Sequence, residues 1–360
     1  MLSYIIRRLL LIIPTLLGIT MVAFFVMGLS PGGVGGPLMQ GAGGGMRAEE
    51  ARAIREYYSK RYGLDQPLVV QYARWLNQIS PAGFKSTGEG WPRTARFGLK
   101  LPDLGRSFSK GRPVSELMLE AVPLTLLLNA LTIPVTYAIA IFTGIYAARK
   151  RGGMVDVTTG TLFLALWSVP TIWAGVMLIG FFANRQYFQW FPTGGLHDTL
   201  ADGMQFLPGW TSAGFERGWL LDTLWHLALP VFCLSYGGFA FLSRLTRGAI
   251  LENLRADYAR TARAKGLDER TVLFRHVFRN SLLPLITVAA YILPGLLAGS
   301  IIVENIFSIP GMGRLVIDAV YTRDRELVLA ETLIAGILGL LSYVMADLLY
   351  LVADPRVSYD

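Results

Sequence analysis

The side chains best suited to metal ligation or thiol chemistry are few in this sequence: His197, His226, His276 and Cys233. The histidines lie far apart and lack the i,i+4 spacing that sets two imidazoles on one helix face around zinc. A single cysteine can form neither an internal disulfide nor a cysteine-ligated cluster. His226 therefore reads as a hydrogen-bonding residue near a helix end. For phosphate chemistry, the stretch "GAGGGMRA" at 41–48 has the glycines of a phosphate cradle but not its lysine, and Gly-x4-Gly-Lys-Ser/Thr occurs nowhere. A proton relay through Asp347 would need a partner carboxyl or imidazole at matching depth, and the sequence offers none. No metal, no cofactor and no covalent chemistry are expected of this chain.

What stands out is a charged stretch. Residues 260–284, RTARAKGLDERTVLFRHVFRNSLLP, combine six Lys and Arg with two acids and with apolar residues at helical spacing. Leu251, Leu254, Tyr258 and Ala262 recur at i, i+3, i+7 and i+11, which predicts one apolar stripe on a helix ending near Gly266. Leu273, Phe274, Val277, Phe278 and Leu282 predict a second amphipathic helix. Spacing alone leaves two readings open, a docking element or a basic helix lying on lipid. A DNA-binding helix-turn-helix is disfavoured, because apolar blocks tether the pair at both ends.

The elements that must hold this stretch are membrane spans. The chain has 360 residues, 53% of them hydrophobic, and a mean hydropathy of +0.45, too apolar for an ordinary soluble domain. Apolar blocks near 9–29, 121–147, 157–183, 222–243, 283–303 and 328–352 each suffice to cross about 30 Å of hydrocarbon. The first is longer than a signal-peptide core, so a retained helix is expected. Six spans place both termini on one side. The short-loop cations at Arg7 and Arg8, at "ARKRGG" (148–153) and along 244–282 make that side cytoplasmic. Residues 31–115 carry 13 cations on the opposite side, which is tolerated because long loops translocate largely regardless of charge. Three segments follow: an N-terminal helix (1–30), an outer loop or small subdomain (31–115) with a Gly-rich insert, and a five-helix core (116–360) containing a cytoplasmic loop at 248–282. Within the outer segment, Ile54, Tyr57, Tyr58 and Tyr62 share one helix face, and a break is expected at Gly63–Pro67.

Several motifs then carry a family resemblance. "DYARTARAKGL" and "RHVFRNSLLP" resemble the cytoplasmic signature loop of ATP-binding-cassette importer permeases. Ala262 and Gly266 match that signature, Arg260 stands at its glutamate position, and Leu283-Pro284 falls a few residues late. These departures resemble the peptide and nickel branch, the oligopeptide and dipeptide permease B family. "RRLLLIIPTLLGIT", "WHLALP" at 225–230, "ENIFSIPGMGR" and the terminal "DPRVSY" are similar to that branch too, with the Yej-type subgroup nearest in look. The resemblance implies an all-α, six-span bacterial inner-membrane permease, one half of an alternating-access pathway for oligopeptides or related solutes. It implies a second homologous permease, two cytoplasmic ATPase subunits that use the ATP, and an extracytoplasmic solute-binding protein, with membrane lipid around them and no nucleic acid. It further implies a coupling loop docked on the ATPase through Tyr258, Arg260, Thr261, Ala262, Lys265, Gly266 and Leu267, with the small Ala262 and Gly266 seating closely against the partner. The rival reading is an ion-coupled secondary transporter or channel.

Other features concern packing. Asn129, Thr132 and Thr136 lie on one side of the second span and either line the pathway or pack against another helix. Gly295 and Gly299, and Ala335 and Gly339, form small-xxx-small pairs suited to close helix contact. Pro134, Pro170 and Pro294 are expected to kink three spans.

Overall fold

The computed structural model describes residues 2–29, 48–85, 96–211, 214–289 and 300–353. Helices dominate: α1 (Leu2–Leu29), α2 (Ala48–Tyr62), α3 (Leu68–Ile79), α4 (Val114–Arg149), α5 (Met154–Trp167), α6 (Thr171–Leu178), α7 (Gly218–Arg255), α8 (Asp257–Ala264), α9 (Glu269–Thr271), α10 (Phe278–Ser281), α11 (Ile301–Ile306), α12 (Met312–Tyr321) and α13 (Arg325–Ala353). Two small antiparallel ribbons complete it, β1 (Ala82–Lys85) with β2 (Arg96–Leu99) and β3 (Gly209–Thr211) with β4 (Gly214–Glu216). Ile6–Leu29, Val114–Arg149, Gly218–Arg255 and Arg325–Met345 are long and apolar enough to cross a membrane. Met154–Trp167 and Thr171–Ala183 meet the same length and composition together, as a pair bent by 96° at Ser168–Pro170. The bend expected at Pro170 is therefore present, whereas Pro134 sits inside a continuous α4. Residues 290–299 of the expected span at 283–303, with Pro294 and the Gly295–Gly299 pair, lie outside the described residues; its start, 283–289, is helical.

One compact unit comprises Ile5–Ala121 and Leu315–Leu338. Its core joins Phe24 of α1, Tyr58 and Tyr62 of α2, Tyr72, Trp75 and Ile79 of α3, and Leu329 of α13. Tyr72, Trp75 and Ile79 recur at i, i+3 and i+7, so one face of α3 turns inward. The Tyr58–Tyr62 face is buried as the sequence spacing predicts. Chain reversal follows at Gly63, whose φ is +69° and where the Arg74 guanidinium fills the space a Cβ would need.

The same unit buries charge that the sequence reading does not single out. Arg325 is 2% exposed, its guanidinium carbon 4.3 Å from the Phe24 ring centroid and 4.5 Å from that of Tyr62. Desolvated cation–π contacts of this kind contribute about 2 kcal/mol. The neighbouring Glu326 accepts from the Tyr62 hydroxyl at 2.8 Å and pairs with Arg61 Nε at 3.2 Å. Burial, reinforced by Glu326, holds the Tyr62 hydroxyl well above the usual phenol range, so it remains a donor. Asp324 accepts from the hydroxyls of Ser107 at 2.6 Å and Ser109 at 2.8 Å, and from Leu327 N at 3.3 Å, which makes it the N-cap of α13. Asp324→Ala should cost about 1–2 kcal/mol of unfolding free energy in detergent, with Asp324→Asn recovering much of it. A loss below about 0.5 kcal/mol, the range of ordinary surface changes, would contradict this cap.

The second unit comprises Met1–Tyr4, Val122–Arg314 and Gly339–Asp360. Its core gathers Leu128, Phe163, Leu227, Tyr236, Phe239, Val303, Phe307 and Ile309. Small residues bring α4 and α7 close. A Cβ on Gly144 would lie 2.6 Å from Thr246, and one on Gly238 would lie 2.7 Å from Thr136. Thr132 and Thr136 belong to this seam. Both are buried, each donates to the carbonyl four residues earlier, and Ser235 of α7 donates to the Thr132 carbonyl at 3.4 Å. The hydroxyls of this pair are thus engaged with backbone carbonyls in the α4–α7 seam, the packing role that the sequence left open beside pathway lining. Asn129, one turn away, is part-buried and donates to the Thr125 carbonyl at 2.9 Å. His226 Nδ1 lies 2.9 Å from the Asp222 carbonyl, the helix-end hydrogen bond expected of it. A Cβ on Gly339 would meet open space, so that half of the Ala335–Gly339 pair makes no close contact among the described residues.

Candidate functional site

The charged stretch folds as a helical elbow at the end of α7. Helix α7 stops at Arg255 because Ala256 turns extended, with ψ at 151°, and α8 starts at Asp257. The single stripe expected from Leu251 to Ala262 is thereby broken. Beyond the break the inward residues are Ala259 and Ala262, packed with Ile145, Ala148, Ile250, Val272, Leu273 and Val277. Two alanines at i,i+3 let α8 lie close on its neighbours. Tyr258 turns outward instead, 37% exposed, and its hydroxyl donates to Asn253 Oδ1 at 2.5 Å. Ala262, expected at the outer contact, is buried against this chain's own core.

Helix α8 ends in a Schellman motif. Leu267 N donates to the Ala262 carbonyl at 3.3 Å and Gly266 N to the Arg263 carbonyl at 2.9 Å. Gly266 takes a φ of +79°, the left-handed conformation that its position after the helix predicts, and nothing lies within 4 Å of where a Cβ would stand. Asp268 then caps the next helix by accepting from Arg270 N at 3.1 Å and Thr271 N at 3.2 Å. Hydrogen bonding from Thr271 holds its carboxyl below the usual carboxylate range, so the cap is ionised at neutral pH.

The second helix contains a π-turn over Val272–Val277. With five-residue spacing, Val272 and Val277 both face the core. Phe274, placed inward by α-helical spacing, is 47% exposed. Cross-links stiffen the elbow. Arg263 donates to Glu269 through Nε at 2.7 Å and to the Leu254 carbonyl through Nη1 at 3.2 Å. Asn253 donates to Ser281 Oγ at 3.2 Å, and Ser281 Oγ to the Ala249 carbonyl at 3.2 Å. The sequence reading misses these clamps. Arg263 and Glu269 stand six apart, a spacing that becomes a contact only once the turn at Gly266 folds one helix back on the other.

Tyr258, Arg260, Thr261, Lys265, Gly266 and Leu267 remain on the outer surface. Arg260 pairs with Asp257 at 3.6 Å. This convex face carries cations, one phenol, one leucine and a bare glycine backbone. It has no nucleophile–base pair among the described residues.

Comparison with known proteins decides the family. Residues 140–359 match the family described as binding-protein-dependent transport system inner membrane component, and residues 1–129 match that family's N-terminal region. The chain belongs to this family of transport permeases. The permease is 36% identical over 361 residues to the oligopeptide transport system permease protein AppB of Bacillus subtilis, covering 100% of each chain. It is 35% identical to the di/tripeptide transport system permease protein DppB of Pseudomonas aeruginosa, again with 100% of each covered. Against the peptidoglycan transport system permease protein YejB of Agrobacterium fabrum it is 33% identical, with 99% of this chain and 98% of that one covered. The permease is thus an all-α inner-membrane transport component, as the signature loop and the dispersed motifs imply.

Proposed function

We propose that this permease is a membrane-spanning subunit of an ATP-binding-cassette importer for oligopeptides or chemically related solutes, and that the elbow's convex face is where a cytoplasmic ATPase pushes. The observation that carries the proposal is mechanical. A face with no chemistry of its own is held by Arg263, Asn253 and Ser281 onto α7, which continues into the membrane. The outer Tyr258, Arg260, Thr261, Lys265, Gly266 and Leu267 meet the ATPase, while Ala259 and Ala262 keep the elbow joined to its own core. A second, homologous permease completes the pathway and an extracytoplasmic binding protein delivers the solute, in line with the peptide permeases to which the chain is similar. Both termini and the elbow face the cytoplasm.

Two measurements test this reading. In a Cys233→Ser background, cysteine at Leu207 should react with an impermeant thiol reagent applied from outside, and cysteine at Leu267 only after permeabilisation; the reverse pattern overturns the orientation. Purified from native membrane, the permease should bring an ATPase with it and show no solute uptake when reconstituted alone. Uptake driven by an ion gradient without partners would instead establish a secondary transporter.

A further inference from the structure

One cavity of the second unit lies outside the elbow. It is an open recess of about 490 Å³ beside the start of α5, and its wall includes Asp156, Val157, Thr161, Leu164, Arg244 and Arg247. The volume falls within the range of small-ligand sites. Its polar end is preset. Arg247 grips Asp156 in a two-pronged pair, Nε to Oδ1 at 2.7 Å and Nη2 to Oδ2 at 2.7 Å, and Gly152 N donates to Asp156 Oδ2 at 2.9 Å. That pairing cancels one arginine and fixes the other's surroundings. Arg244, one turn away on α7, is exposed and has no hydrogen-bond or ion-pair partner among the described residues. Two arginines against one aspartate leave the lining with a net charge of +1 (2 − 1). Arg149 at the end of α4 and Lys150 and Arg151 in the turn after it add positive potential next to the bonded Gly152.

The other end is apolar. Leu164 stands two helical turns beyond Val157 along α5, and both are exposed along a helix whose only buried residue is Phe163. Charge at one end of a cavity and an open aliphatic wall at the other match the two halves of a membrane lipid. We propose that the cavity binds an anionic phospholipid of the cytoplasmic leaflet. The phosphodiester lies between Arg244 and the free edge of Arg247, and one acyl chain runs along the Val157–Thr161–Leu164 face of α5 toward Leu164. A monoanionic phosphodiester balances the +1 of the site, and the cations of the 149–151 turn favour headgroups without a compensating ammonium. The leaflet assignment rests on the orientation proposed above; the binding itself does not.

Native mass spectrometry of the full chain in neutral detergent tests the proposal, with phosphatidylglycerol and phosphatidylethanolamine as probes. Retention should favour phosphatidylglycerol, and Arg244→Gln should lower that retention about fivefold with an unchanged unfolding curve, since Arg244 supports no other residue. Leu164→Ser should also weaken it, whereas millimolar inorganic phosphate should compete poorly. Equal retention by parent and Arg244→Gln overturns the site. Full displacement by inorganic phosphate overturns the lipid in favour of a free anion. Lipid held by the isolated chain but lost once partners are assembled shows a subunit interface, and overturns the proposal too. No ATPase or transport readout enters, so failure here leaves the importer reading intact.

Discussion

Glu304→Ala is expected to destabilise the permease by about 4 kcal/mol, enough to prevent accumulation of folded protein at growth temperature. Glu304 is fully buried. Its carboxyl accepts from Thr125 Oγ1 at 3.1 Å, Ser300 N at 3.2 Å and Arg314 N at 3.1 Å, joining the start of α11, the first turn of α12 and α4. The loop is fitted around that carboxyl. A Cβ on Gly311 would lie 2.6 Å from Glu304 Oε2 and 2.6 Å from Thr125 Oγ1, so only glycine passes there. Alanine at 304 leaves the part-buried N–H groups of Ser300 and Arg314 without this acceptor, each costing about 1–3 kcal/mol, and adds a cavity term for the lost side chain. Glu304→Gln keeps one acceptor oxygen but turns an NH2 toward donors, so an intermediate loss of about 2 kcal/mol is expected. Unfolding followed by tryptophan fluorescence in detergent reads both. A change below about 1 kcal/mol for the alanine variant would mean that the carboxyl does not hold the loop.

Gly266→Asp is expected to leave insertion and stability nearly intact while abolishing ATP-driven transport. At φ +79° with nothing within 4 Å of the added Cβ, the local cost is the left-handed conformation alone, about 1 kcal/mol, and aspartate is among the residues that tolerate it. Docked against an ATPase, the same side chain carries an unpaired charge into an interface, where such charges cost about 3–5 kcal/mol. That is a loss of roughly 100-fold to 4000-fold in affinity. Gly266→Ala separates the causes, since it shares the backbone strain without the charge and should transport at a reduced but measurable rate. ATPase co-purification and binding-protein-stimulated hydrolysis are the readouts. A Gly266→Asp permease that assembles and transports like the parent would place the docking surface elsewhere.

The spans were legible because hydrocarbon demands a long apolar run and the chain supplies it in blocks; the turn at Gly266 was legible because a glycine after a helix has few other uses. Other features leave weaker traces. Ala256 breaks α7 although alanine carries no bias toward an extended backbone, so the break comes from the contacts of Ala259 and Ala262 beyond it. The π-turn at Val272–Val277 shifts Phe274 outward by adding one residue to a turn, which hydrophobic periodicity cannot register. Pro134 and Pro170 look alike in sequence, yet only the second lies where the chain bends. The charged run from Asp324 to Glu326 reads as solvated surface until Phe24, Tyr58 and Tyr62 arrive from hundreds of residues away. Its one sequence trace was the aromatic face of α2, which needed something to cover.

Helix α7 spans 38 residues without a break from Gly218 to Arg255, about 57 Å of helix at 1.5 Å per residue. With the elbow clamped across its lower end, the two form a crank. A tilt of about 5° imposed at Tyr258–Leu267 would carry the far end near Gly218 through about 5 Å, which is about one turn of an α-helix. A displacement of that size can change which side of a packed bundle is open, so under the importer reading proposed above a sub-nanometre stroke at the elbow would be carried toward the opposite face of the membrane along this one continuous helix.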